Sequence, residues 1–299
     1  MLAASAQRIT SGWVKDMTQL APGAWWYIGI AIVAYSTIGF VLLKTKNPKS
    51  FISFCCFAAV NVIFDIFILV VFNGYMYAPG IRVEPGADNS IGRFVSQNLS
   101  VPSTAMLIAA LQLNYYYIVA FTGVYCAIEE LFLRLGTYKH FWWKTWYTAI
   151  ALLVFFWFAQ KWHNKIMAGD NRIVNFVSHY LGVVGLIFQY KFYMTMFKMH
   201  TYKFGLSTDP ILDSMAVGLI HTILLPLPLV IVCFLELHWL WKLAATIWPF
   251  LFQHILIVMG IMHVREGFYG VDTLLTNLGA FIIVASFDVL LSKNRPKFN

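Results

Sequence analysis

Asp65, Glu129, Glu130, His179, His221 and His254 all stand inside stretches of apolar residues. A charge at bilayer depth costs about 2.5–3.5 kcal/mol on insertion scales, so each ionisable residue there is a candidate site. Asn61 precedes Asp65 by one helical turn, and its amide is placed to bond the carboxyl. That pair suits proton or cation handling, or a hydrogen bond that only packs two helices together. Glu130 and Arg134 are four residues apart, the spacing of a helical ion pair. Gln112, Tyr116, Gly123 and Glu130 share one helical face, since 18 residues make five turns, and that face is expected to point into a bundle.

The eight histidines show no HExxH, HxxHH or HxxxH spacing. A metal or haem would therefore need ligands from separate helices, with His179, His221 and His254 beside Glu130 as the candidate set. The lesser role for each histidine is a hydrogen bond inside the bundle or at its surface. His254 and His263 are 2.5 turns apart and point to opposite sides. Pro226 and Pro228 follow His221 and leave the Thr222 and Leu224 carbonyls without their helical donors. Broken helices of this kind line cavities or kink against neighbours. No phosphate-binding glycine loop, GxSxG elbow or CxxC is present.

The run EELFLR at 129–134 resembles EExxxR, the first motif of the CAAX-prenyl protease and bacteriocin-processing family. The resemblance implies that Glu129 and Glu130 activate water for intramembrane hydrolysis. It covers six residues. Ala159 stands where FxxxH needs Phe before His163, Leu225 stands where HxxxN needs Asn after His221, and FLFQH at 250–254 comes too late in the chain. A wider stretch, GTYKHFWWKTWYTAIALLVFFW at 136–157 with NGYMYAPGI at 73–81, looks like uncharacterised multi-span proteins of Bacillus-type bacteria. That likeness implies a bacterial plasma membrane and no particular activity. HFWWKTWY also reads as an interfacial aromatic belt with two snorkelling lysines.

These residues need elements to hold them, and composition says which. The 299 residues are 60% apolar and 11% charged, and the mean hydropathy is +0.70; a soluble chain averages about 25% charged. The expected fold class is all-α, a polytopic transmembrane helix bundle of about eight spans with short interfacial helices. Spans are expected at 24–43, 51–72, 104–133, 146–161, 173–197, 211–238, 239–264 and 268–291, within one transmembrane domain covering 23–292. At 1–22 the expectation is either an amphipathic leader, with Ile9, Trp13, Met17 and Leu20 on one face, lying in the membrane surface, or a frayed tail, and no cleaved signal peptide is expected. Residues 73–103, rich in Asn-Gly and Pro-Gly, are expected to form a long loop with a surface helix at about 88–99. A basic tail occupies 293–299. No internal repeat is apparent.

The net charge of +8 is spread over short clusters between apolar runs, which suits lipid headgroups and argues against nucleic acid. Counted across eight spans, the loops of the two sides carry ten and eleven Lys or Arg, so orientation is undecided. The four cysteines all fall in apolar runs and imply no disulfide framework. The leading functional expectation is a protein that binds or moves a small lipid-like or amphipathic ligand in an intramembrane cavity. Asp65, Asn61, Gln112, Tyr116, Glu130, His221 and His254 would contact it, between spans two, three, six and seven. The alternatives are an intramembrane metal-dependent hydrolase using Glu129, Glu130 and histidines, and a membrane scaffold. Membrane lipids are the expected partners, and sequence does not assign an oligomeric state.

Overall fold

The computed structural model describes residues 20–292 except Lys198. Nearly all of the leader expected at 1–22, and the basic tail at 293–299, lie outside the described residues. The fold is all-α. Its elements are α1 (Ala24–Thr45), α2 (Lys49–Ile66, extended by a wide turn Phe67–Val71), β1 (Tyr75–Tyr77), α3 (Pro85–Arg93), a wide-turn segment Phe94–Ser100, α4 (Val101–Ala110), α5 (Tyr115–Arg134), β2 (Tyr138–His140) and α6 (Thr145–Ala168). The chain continues as α7 (Arg172–Met196), β3 (His200–Tyr202), α8 (Pro210–Leu224), α9 (Leu227–Phe234), α10 (Trp239–Val258), β4 (Met262–Val264) and α11 (Tyr269–Ser292). Seven of these helical stretches are long and apolar enough to cross a membrane, which makes this an integral, polytopic membrane protein.

Two expectations are overturned at 73–134. The region expected to be a loop with a surface helix is instead a buried rod: α3, the wide turns and α4 keep right-handed helical backbone from Pro85 to Ala110. Asp88, Asn89, Ser90, Arg93 and Asn98 on it are all buried. Pro85 opens the rod, where its missing N–H costs nothing, and ahead of Pro102, which also lacks a donor, the Asn98 carbonyl accepts from Gln189 and the Gln97 carbonyl from Asn61. The single span expected at 104–133 breaks at Leu111–Asn114, where Gln112 adopts left-handed backbone (φ 51°) and Asn114 caps α5 by accepting the Tyr116 N–H. The polar face expected to point inward points out: Tyr116 is 81% exposed, and Gly123 and Glu130 are exposed. The span expected at 239–264 ends at Val258 and hands over to β4.

The described chain is also an internal repeat, which the sequence reading missed. After α1, the order helix, strand, broken helix, helix, strand, helix occurs twice, with corresponding elements offset by 123 to 125 residues. Gly80, Glu84, Pro85 and Asp88 in the first half match Gly205, Asp209, Pro210 and Asp213 in the second. Each glycine is left-handed, at φ 76° and 91°, and each aspartate gathers three backbone N–H groups of its loop. Asp88 accepts from Gly80, Ile81 and Arg82, and Asp213 accepts from Phe204, Gly205 and Leu206. Left-handed Gln112 and Gly136 recur as Glu236 and Gly260.

The strands pair within each half as two small antiparallel ladders, β1 with β2 and β3 with β4. Four rods per half is an even number, so both ladders cap the same end of the bundle, where α3 meets α8 and Ser90 Oγ bonds Met215 Sδ. The halves join along α2 and α7. A Cβ on Gly185 would collide with the Cys55 carbonyl, and one on Gly182 would press Phe287 and Ile52. The Cys56 thiol donates to the Ser178 carbonyl across the same seam. Small residues here let two backbones touch, the device by which membrane helices gain packing contact without a hydrophobic drive.

Candidate functional site

Under the β1–β2 ladder lies a chamber of about 640 Å³. Its walls come from α1 (Tyr27, Ile30), α2 (Val60, Asn61, Phe64), the wide turns (Val95 to Ser100), α5 (Tyr125, Ile128, Glu129, Phe132) and α6 (Trp146 to Phe155), with Tyr75, Tyr77, Tyr138 and Trp143 closing the top. Phe64, Trp146, Ile150 and Val154 line it while remaining 49%, 55%, 54% and 59% exposed. The chamber therefore opens sideways, on the apolar flank of the bundle. Of its 26 lining residues 11 are aromatic, and Glu129 is the only one with a charged side chain.

The polar groups are held from behind. Glu129 Oε1 lies 2.8 Å from His140 Nε2, so β2 pins the carboxylate of α5. Gln97 Nε2 donates to the Tyr77 hydroxyl at 3.1 Å, and the Tyr125 hydroxyl sits between Ser100 and Thr104. The Tyr75 hydroxyl donates to Asp65 Oδ1 at 2.6 Å, and Arg93 Nε bonds Asp65 Oδ2 at 2.6 Å, all three residues being buried. This triad locks strand β1, helix α2 and helix α3 together behind the wall. Burial pushes the Tyr75, Tyr77 and Tyr138 phenols above their ordinary range, with the Asp65 carboxylate adding to the rise, so they face the chamber protonated.

Of the residues singled out by sequence, Asn61 and Glu129 line the chamber. Asp65 acts behind it; its partners are Tyr75 and Arg93, while Asn61 donates instead to the Gln97 carbonyl. Glu130 bonds Thr145 at 2.5 Å, and among the described residues no ion pair joins it to Arg134. Gln112 pairs with Asn164 away from the chamber, and Tyr116 faces outward. The histidines proposed as metal ligands do not converge. His179 bonds the Val284 carbonyl, His221 sits between Lys191 and Tyr202, and His254 is exposed. The described residues hold no group of three His, Cys, Asp or Glu able to share a metal ion. The break at Pro226 is real; of the two carbonyls expected to lose their helical donors, that of Leu224 accepts from Trp248, and the adjoining Ile223 carbonyl accepts from Tyr180.

His140, Arg93, Tyr75, Tyr77 and Tyr138 were not anticipated, because they fall in the presumed loop and in an aromatic run that reads as a surface belt. Trp142 and Trp146 do face outward, but Trp143 turns in. The repeated Gly, Pro and Asp pattern was the available signal that these loops are built structures.

The second half has no matching chamber among the described residues. Gln253 stands at the position of Glu129 and accepts from Asn277, His221 stands at that of Ser96, and Gly267 and Gly270 stand at those of Trp143 and Trp146. Lys191 and His221, 2.7 Å apart, fill the space below β3, where only about 20 Å³ is left. No known protein family, curated protein or solved structure matches the chain, so its site is described by its own geometry alone.

Proposed function

We propose that the first-half chamber binds a small amphipathic, lipid-like molecule that enters sideways from the membrane. The observation that carries this is the coincidence of a 640 Å³ aromatic chamber with a lateral opening between exposed apolar side chains. A volume of this size suits a ligand of drug-like dimensions, and a few converging polar groups in an apolar wall are what fix such a ligand's orientation. Glu129, Gln97 and Asn61 supply those groups here.

The test is native mass spectrometry of the protein released from detergent, together with thermal stabilisation by a panel of membrane lipids. The wild type should retain an amphiphile or be stabilised by one. Ala151→Trp, which fills the chamber from α6, should lose both signals while keeping its helical spectrum. Equal behaviour of the two proteins would remove the reading.

A second reading rests on the 2.8 Å contact between Glu129 and His140. A carboxylate paired with an imidazole at the edge of an apolar chamber is also the arrangement of a general acid and base. In that case Glu129→Gln abolishes turnover of a bound ligand without weakening its binding.

A further inference from the structure

We infer that the chamber's ligand is a lipophilic organic cation, a quaternary or tertiary ammonium group on an apolar body. This rests on the reading that the chamber binds an amphiphile, and it names the chemistry of the polar end. The wall beside Glu129 is a run of ring contacts: Tyr77 and Tyr138 have centroids 4.8 Å apart, Tyr75 lies 5.5 Å from Tyr138 and 5.7 Å from Trp143, and Trp143 lies 5.3 Å from Tyr147. Aromatic faces carry negative potential, and cages of them recognise alkylammonium groups. The phenols stay protonated, so this wall offers aromatic rings and no phenolate.

The charge balance points the same way. No lysine or arginine lines the chamber, and the nearby Arg93 guanidinium is spent on Asp65 behind the wall. An anionic head would meet Glu129 and the aromatic rings with no lysine or arginine in the lining to offset either, the His140 imidazole already being engaged by Glu129. A neutral head would add nothing to the 2.8 Å contact by which His140 holds the Glu129 carboxylate, in an apolar space where charge is costly. A cation meets both the carboxylate and the rings, and its poorly hydrated alkyl groups suit an apolar wall.

The experiment compares benzyltrimethylammonium with neopentylbenzene, its neutral carbon isostere, and with phenylacetate, all at one neutral pH in detergent. Binding is read from tryptophan fluorescence and thermal stabilisation. In the wild type the cation should bind about tenfold or more tighter than the isostere, the ratio expected of a desolvated cation on aromatic faces, and phenylacetate weakest. Glu129→Gln should bring cation and isostere together. Tyr147→Leu keeps the carboxylate and should also narrow the gap, which preserves the test where Glu129→Gln fails to fold. If the isostere matches the cation in the wild type, the inference is overturned while the chamber reading stands. If no probe binds and Ala151→Trp behaves like the wild type, both fall.

Discussion

The Asp65–Arg93–Tyr75 triad shows what a charge inside an apolar stretch does here. Removing one member of a buried ion pair leaves the other uncompensated and costs about 3–5 kcal/mol, whereas replacing both by apolar residues often costs little. Arg93→Leu should therefore lower the unfolding midpoint in detergent sharply, and Asp65→Leu with Arg93→Leu should recover much of the loss. A double variant no more stable than Arg93→Leu alone would assign Asp65 a role beyond pairing. Tyr75→Phe removes one donor from the same carboxylate, and its expected cost is about 1–3 kcal/mol.

At the scale of elements, the two aspartate-held loops should behave as equals. Asp88→Ala and Asp213→Ala each strand three backbone donors. Each should cost about 2 kcal/mol or more, measured as a fall in thermal stability, with local proteolysis at 78–84 or 203–209. Gly185→Leu at the seam forces α2 and α7 apart and should prevent a stable fold, while the same change at exposed Gly29, which has nothing around it, should be silent. The helices were legible in the sequence because an apolar run of about 20 residues is a strong signal. The rod at 85–110 was not, because Asp88, Asn89, Ser90 and Arg93 look solvated until their partners on α2, β1 and α8 are known. The repeat escaped for a related reason: apolar helix positions interchange freely, so identity survives only at the Gly, Pro and Asp positions that backbone geometry constrains. Glu129 was legible as a buried acid, but its neighbours Tyr75, Tyr77 and Tyr138 come from strands of three residues, too short to show a period.

At the scale of the whole molecule, the nine rods and two ladders among the described residues make a definite prediction about sidedness. Single cysteines at 82, 139, 203 and 265 should react with an impermeant thiol reagent from one side of sealed vesicles, and those at 47, 113, 170 and 237 from the other. The native thiols Cys55, Cys56, Cys126 and Cys233, none of which is in a disulfide, are first replaced by alanine or serine. Labelling of 82 and 203 from opposite sides would mean that the halves are inverted and would undo the even-numbered repeat.

The seam between α2 and α7 carries a consequence for movement. Carriers that expose a site alternately to two sides do so largely by rocking one repeat of the molecule against the other around a fixed site. Here the joint brings backbone against backbone at Gly185 and Cys55, with the Cys56 thiol bonded across it to the Ser178 carbonyl. The chamber, moreover, is walled by α1 and the first half alone. If the chamber takes its ligand from the lipid as proposed, exchange through the flank asks for no movement of one half against the other.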